Sequence, residues 1–182
     1  MSRAVLSVGS NMGDRLGHLR SVVTGFADRV VAVSSVYTTA PWGGVDQEDY
    51  LNAVVLVDDP DFECRDWLAA GQRLEQAADR VRVVRWGART LDVDVVWCGS
   101  GQRAIHSDDP VLTLPHPQAR HRAFVLIPWL EVEPAATLLV DGVEHAVRDL
   151  LAGLAVTERD GVRRTEFSLS GPAGPDALGG IS

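Results

Sequence analysis

Arg89-Thr90-Leu91-Asp92-Val93-Asp94-Val95-Val96 is the stretch on which the fold turns. Side chains alternate faces on a strand, so Leu91, Val93 and Val95 share one side, and Asp92 and Asp94 share the other, about 7 Å apart. The apolar set predicts a strand from about Leu91 to Trp97 with that side on a core. Asp is disfavoured in strands, and like charges on one face repel. Either the acidic face is solvated, as on an outer strand, or a divalent cation offsets the repulsion, because hard cations choose carboxylate oxygen. The pattern alone leaves these two readings level.

Upstream, Val5–Val8 predicts a strand running into Gly9-Ser10-Asn11, followed by a helix with Leu16, Leu19, Val22 and Phe26 at helical spacing. Val30–Thr38 is β-branched and aromatic and predicts a strand. Ala40–Asp49, with Pro41, Gly43 and Gly44, predicts a loop, and Tyr50–Val57 a central strand. Asp59-Pro60 predicts a helix start, and the helix continues to about Asp79 with Trp67, Gly71, Leu74 and Ala78 on one face. Downstream, Ser107–Pro117 predicts a loop and about Ala119–Leu130 a helix or helical turn. The order β-α-β-β-α-β predicts an α+β, ferredoxin-like fold, an antiparallel sheet with helices packed on it. The 182 residues suit one domain, taken as 1–167, and the Gly/Pro/Ser-rich stretch 168–182 predicts a disordered tail.

Composition narrows the chemistry. With 46% hydrophobic and 23% charged residues the chain is ordinary globular protein. No apolar run is long enough to span a membrane, and the N-terminus carries no secretory signal, so a cytoplasmic location and no membrane partner are expected. The two cysteines, Cys64 and Cys98, are expected to be small buried thiols. A net charge of −8 argues against nucleic acid as a partner. All 17 basic residues are Arg, so a Walker loop and a Schiff-base lysine are excluded. Phosphate chemistry here would rest on Arg, His, backbone N–H groups and metal.

Residues 80–89, with Arg80, Arg82, Arg85 and Arg89 around Trp86-Gly87, hold four Arg and no acid. Arg forks match phosphate oxygens, and the stretch directly precedes the Asp pair. It reads as a loop over a metal-bound polyphosphate, against a solvated or RNA-binding loop. His116 between Pro115 and Pro117, followed by Arg120, Arg122 and Phe124, could donate to phosphate; a lone loop His is more often simply a surface residue. Thr39-Ala40-Pro41-Trp42 with Tyr50 and Asn52 offers backbone amides, an aromatic face and an amide edge suited to a flat heterocycle, or else an ordinary Pro/Gly loop beside a strand. Two other classes share parts of this pattern. A different two-metal enzyme, such as a nucleotidyltransferase, would use the acids without the Tyr50, Asn52 and Phe124 pocket. An RNA-binding module would need a basic surface.

Taken in order, Gly9-Ser10-Asn11, Asp49-Tyr50-Leu51-Asn52-Ala53, Gln72-Arg73-Leu74-Glu75, Arg85-Trp86-Gly87-Ala88-Arg89-Thr90-Leu91-Asp92-Val93-Asp94, and Pro115-His116 with Arg122-Ala123-Phe124 resemble the 6-hydroxymethyl-7,8-dihydropterin pyrophosphokinases, from about Gly9 to Pro134. The resemblance implies a ferredoxin-like fold and transfer of pyrophosphate from ATP to the pterin hydroxymethyl group, releasing AMP, in folate biosynthesis. It implies two Mg²⁺ held by Asp92 and Asp94, with Arg80 and Arg89 joining them in catalysis. ATP would be bound by Leu68, Gln72, Glu75, Arg82, Arg85, Val95, Thr113, His116 and Arg122. The pterin would be bound by Thr39, Ala40, Pro41, Trp42, Asn52 and Trp86 and sandwiched between Tyr50 and Phe124. A monomer with ATP and the pterin as its small-molecule partners is expected. Val83, Val111 and Pro117 depart from residues common in that family, and none adjoins the Asp pair.

Overall fold

The computed structural model describes residues 2–40, 48–78, 90–101 and 103–170. Its first strand, β1 (Ser2–Ser10), precedes helix α1 (Arg15–Phe26), whose N-terminus is capped by Asp14 accepting from Gly17 N at 2.9 Å. Strands β2 (Val30–Val33) and β3 (Tyr37–Thr39) follow, then β4 (Tyr50–Asp59) and helix α2 (Cys64–Ala77). Next come β5 (Asp92–Ser100), β6 (Arg103–Ala104), a hairpin of β7 (Ser107–Asp109) and β8 (Leu112–Leu114), and helix α3 (Ala123–Val132). The chain closes with a hairpin of β9 (Thr137–Val140) and β10 (Val143–Ala146), two short helices, α4 (Val147–Ala152) and α5 (Val156–Asp160), and β11 (Arg163–Arg164). The described chain is thus α+β, with an antiparallel main sheet in the order β11-β3-β4-β1-β5-β6 and β2 also on β4.

The sheet is covered on both faces, which explains why β1 and β4 read as nearly continuous apolar runs. Ala4, Leu6 and Val8 point toward α1 and α2, joining Leu19, Val22, Phe26 and Trp67. Val5 of β1 and Val54 and Leu56 of β4 point the other way, against Val125, Leu126 and Trp129 of α3 and Leu138. Trp67 is fully buried, and its Nε1 donates to Ser2 Oγ at 2.8 Å, so the indole carries its polar group into the core satisfied. On β5, Leu6 pairs with Val95 and Val5 with Trp97, which leaves Val96 as an extra residue. Val93 and Val95 lie on the α1/α2 side and Val96 on the α3 side by alternation; the bulge keeps Trp97 on the α3 side as well and returns Cys98 to the α1/α2 core.

Several expectations change here. Val30–Thr38 is two strands, not one. At the break Ser34 replaces a ladder carbonyl with its hydroxyl, which accepts from Val54 N at 2.9 Å. Helix α2 begins at Cys64, not at Asp59-Pro60. The Asp59 carboxylate is engaged by Asp61 N and by the Arg29 guanidinium, and the cap is Glu63, whose N–H donates to Asp66 at 2.8 Å. The stretch Ser107–Pro117 holds the β7–β8 hairpin rather than only a loop. Cys64 and Cys98 are buried as expected but are bonded to each other. Packing of α2 on β5 brings their Cα atoms to 5.9 Å, inside the span a disulfide bridges.

Residues 155–170 form a strap around the β3 edge. Its β11 pairs with β3, Arg163 opposite Thr38 and Arg164 opposite Tyr37. Thr165 donates from its backbone N–H and its hydroxyl to Val36 O, at 2.9 and 2.8 Å. The strap then reaches the α1 face, where Arg20 donates to Ser168 O and Leu169 is buried in the α1/α2 core. Packed structure therefore extends beyond Ser168, where the tail was expected to begin; residues 171–182 lie outside the described part. No helix among the described residues is long and apolar enough to cross a membrane.

Candidate active site

Period-two alternation on three neighbouring strands builds the floor of the site. Tyr50 and Asn52 of β4 lie on the same face as Val54, Ser7 of β1 on the same face as Val5, and Asp92 and Asp94 of β5 opposite Val93. The ladder aligns them: Asn52 pairs with Gly9, Gly9 with Asp92, and Ser7 with Asp94. Helix α3 covers the rest of this face but starts only at Ala123, so the end bearing these residues stays open. The result is a cleft of about 620 Å³, a size suited to a small-molecule ligand, lined by this floor, by Thr39 and Ala40, and by Gln118, His121, Arg122 and Phe124.

Each group is held by its neighbours. Asn52 is buried and donates from Nδ2 to Thr39 Oγ1 at 2.9 Å, while its Oδ1 lies 3.1 Å from where a Cβ on Gly9 would sit. Glycine at position 9 thus leaves room for the amide at the cleft floor. Arg15 donates to Asp49 O at 2.7 Å and fixes the approach of the chain to Tyr50. Asp92 and Asp94 are half-buried, and Asp94 forms an ion pair of 3.6 Å with Arg122 at the start of α3. The Arg122 guanidinium also sits 5.6 Å from the centre of the Phe124 ring.

His116 follows the cis Leu114–Pro115 bond and is tethered to β5 by its N–H donating to Val96 O at 2.9 Å. Burial holds its imidazole below the ordinary histidine value; Asp94 and Asp92 pull it upward, and Arg122 pushes it down. The neutral ring is thereby favoured, with Nδ1 accepting from Gln118 N at 3.2 Å.

The expected residues therefore divide. Thr39, Ala40, Tyr50, Asn52, Asp92, Asp94, Arg122 and Phe124 line one cleft. Leu68, Gln72 and Glu75 lie on α2, across β5 from the acids. The buried Glu75 carboxylate accepts from Val93 N at 2.9 Å and so fastens α2 to the strand that carries them. The Val95 side chain points into the α1/α2 core, on the α2 side of the sheet with Leu68 and away from the cleft. Thr113 lies with His116 beside a smaller pocket bounded by the β9–β10 hairpin. Pro41, Trp42, Arg80, Arg82, Arg85, Trp86 and Arg89 lie outside the described residues.

Sequence reasoning missed Ser7, Gln118, His121 and the group Thr157, Glu158, Gly161 and Val162, all at the cleft. The alternation of β1 could have given Ser7. Nothing local marks the α5 group, which the strap delivers from far along the chain.

Among the described residues no three His, Cys, Asp or Glu side chains cluster as a complete metal cage. Two carboxylates on one face of a half-open cleft nevertheless fit Mg²⁺, which keeps waters and is commonly bound through one or two carboxylates plus substrate phosphates.

The sequence model of 7,8-dihydro-6-hydroxymethylpterin-pyrophosphokinase (HPPK) matches residues 5–134. The chain is 51% identical over 177 residues to the 2-amino-4-hydroxy-6-hydroxymethyldihydropteridine pyrophosphokinase of Mycobacterium tuberculosis, covering 93% of this chain and 94% of that one. It is 39% identical over 170 residues to the protein of the same name from Methylorubrum extorquens, covering 91% and 100%. Among solved structures, wild-type Plasmodium falciparum HPPK-DHPS superposes with a TM-score of 0.57 at 12% identity. That likeness concerns the fold alone; it covers 83% of this chain and 44% of that longer one. The chain belongs to the HPPK family.

Proposed function

We propose that this protein transfers pyrophosphate from ATP to the hydroxymethyl group of 6-hydroxymethyl-7,8-dihydropterin, releasing AMP, as a step of folate biosynthesis. Family membership and the curated relatives support this activity over most of the chain. The observation that carries it to the site is the sharing of one sheet face by a carboxylate pair and a heterocycle pocket: Asp92 and Asp94 lie in the same cleft as Tyr50, Asn52 and Phe124. The strand order also supports reading the fold as ferredoxin-like, with β3-β4-β1-β5 as its core.

Tyr50 and Phe124 would hold the pterin ring between them, and Asn52 with the Thr39–Ala40 backbone would read its edge. Asp92 and Asp94 would hold two Mg²⁺, which when bound neutralise the triphosphate and orient it for in-line attack. Arg122 and His116 would bind phosphate oxygens, and Thr113 with the α2 residues Leu68, Gln72 and Glu75 would border the nucleotide. The Arg-rich stretch 80–89 would add further guanidinium groups to the charge that develops on the transferred group. No strong base is required: alignment of the alcohol with the β-phosphorus and charge stabilisation lower the barrier.

The test is direct. The purified chain is mixed with MgATP and reduced hydroxymethylpterin, and the nucleotide products are separated. AMP that forms only when the pterin is present is the expected result; ADP as sole product would mean ordinary kinase chemistry and would end this reading.

A further inference from the structure

Four residues at the cleft come from beyond the family match at 5–134: Thr157, Glu158, Gly161 and Val162. Their position is fixed from several sides. Within the α5 turn, Gly161 N donates to Thr157 O and Val162 N to Arg159 O, both at 3.1 Å. Directly after it β11 enters the main sheet beside β3, and Arg164 approaches Glu131 of α3 at 3.6 Å. Glu131 in turn accepts from Ser35 N, Ser35 Oγ and Tyr37 OH at 2.7–3.0 Å. The wall is thus tied both to the sheet edge and to the helix that carries Phe124.

We propose that this strap is the outer wall of the heterocycle subsite and that Glu158 is its selecting residue, its carboxylate accepting a hydrogen bond from a ring N–H of the acceptor substrate. The inference rests on the pterin reading above. Glu158 is half-buried against the cleft, and among the described residues no hydrogen bond or ion pair engages its carboxylate. A partly desolvated carboxylate without donors is unfavourable, and a ligand N–H removes that cost. Charge decides which substrate it meets. A triphosphate would be repelled by Glu158, whereas a neutral reduced pterin presents N–H donors along its edge. The floor offers Asn52 as a side-chain amide already engaged with Thr39, so an acceptor on the wall complements it. Val162 and Gly161 line the cleft beside it and leave room for the ring edge to approach the carboxylate.

The experiment is a calorimetric titration of the full chain, as parent, Glu158→Ala and Glu158→Gln. Reduced hydroxymethylpterin is titrated with Mg²⁺ and a non-hydrolysable ATP analogue present, and the ATP analogue is also titrated alone. Glu158→Ala is expected to weaken pterin binding about ten- to hundredfold, the scale of a hydrogen bond to a charged group. Glu158→Gln, which keeps an acceptor oxygen and the side-chain shape, should lose less, and both variants should bind the ATP analogue within twofold of parent. Pterin binding by Glu158→Ala within twofold of parent would overturn the inference and leave the proposed function standing. Equal losses for both ligands would also overturn it, since the effect would then be general. A parent chain that binds no pterin would overturn the function reading and this inference together.

Discussion

Asp94→Asn separates a metal-holding role from a structural one, because the structure predicts opposite effects on stability and on rate. Without metal, the substitution removes the ion pair to Arg122, whose side chain is 28% exposed against 35% for Asp94 at a separation of 3.6 Å. A pair that open to water contributes about 0–1 kcal/mol. It also removes repulsion from Asp92, two residues along the strand and so about 7 Å away. At an effective dielectric between that of water and that of a protein surface, this relief is about 0.6–2.4 kcal/mol. The two contributions oppose each other, and the neutral amide keeps the shape, so melting without Mg²⁺ should shift by no more than a few degrees, upward if at all. With MgATP and pterin the balance reverses. The site loses one of two carboxylates that hold the dications, and several kcal/mol of charge stabilisation at about 1.4 kcal/mol per decade lowers turnover by two to four orders of magnitude. The assay pairs melting in chelator with initial rates of AMP release across a Mg²⁺ titration. A rate within threefold of parent at saturating Mg²⁺ would remove Asp94 from the metal site. A fall of more than about ten degrees in melting temperature would make the residue structural.

Tyr50→Ala or Phe124→Ala should weaken pterin binding by about 1–3 kcal/mol while leaving an ATP analogue nearly untouched, as calorimetry would register; equal losses for both ligands would contradict the sandwich. The Tyr37 phenol is pushed up to about 12 by burial and by Glu131, so in an absorbance titration it stays protonated at pH 11, and Tyr37→Phe removes that late step. Because its folded value lies above the ordinary 10.0, the stability it confers is complete below about pH 10 and is lost as pH rises toward 12. His116 should titrate below the ordinary histidine range by NMR, and Asp94→Asn should lower it further by removing an upward pull; an upward move would contradict the placement of the two side chains. As its folded value lies below the unfolded one, His116 costs stability as pH falls through about 6.5.

The floor of the site was legible because it is a matter of alternation. Once Leu91, Val93 and Val95 are assigned to a core, Asp92 and Asp94 must share the other face, and the same rule places Tyr50 beside Asn52. That rule also bears on Val95: alternation puts it on the α2 side of the sheet, and the structure places it there, in the core. Asp59-Pro60 misled because a capping sequence is local, whereas the Asp59 carboxylate is drawn into a turn and an ion pair with Arg29, thirty residues away. Pairing of Cys64 with Cys98 and delivery of Glu158 to the cleft depend on how α2 and the strap pack, and no periodicity encodes either.

Pairing of β11 with β3 also bears on how the chain stays in solution. Beside β4, β3 would otherwise present its outer row of N–H and C=O groups to any passing strand, the usual start of edge-to-edge association. The strap occupies that row with two arginines, Arg163 and Arg164, both exposed and both able to repel a second copy. Shortening the chain before Ala155 would therefore remove a wall of the substrate cleft and uncover an adhesive edge in the same stroke. Loss of substrate affinity and loss of colloidal stability should appear together in C-terminal truncations, and light scattering would detect the second before any assay of the first.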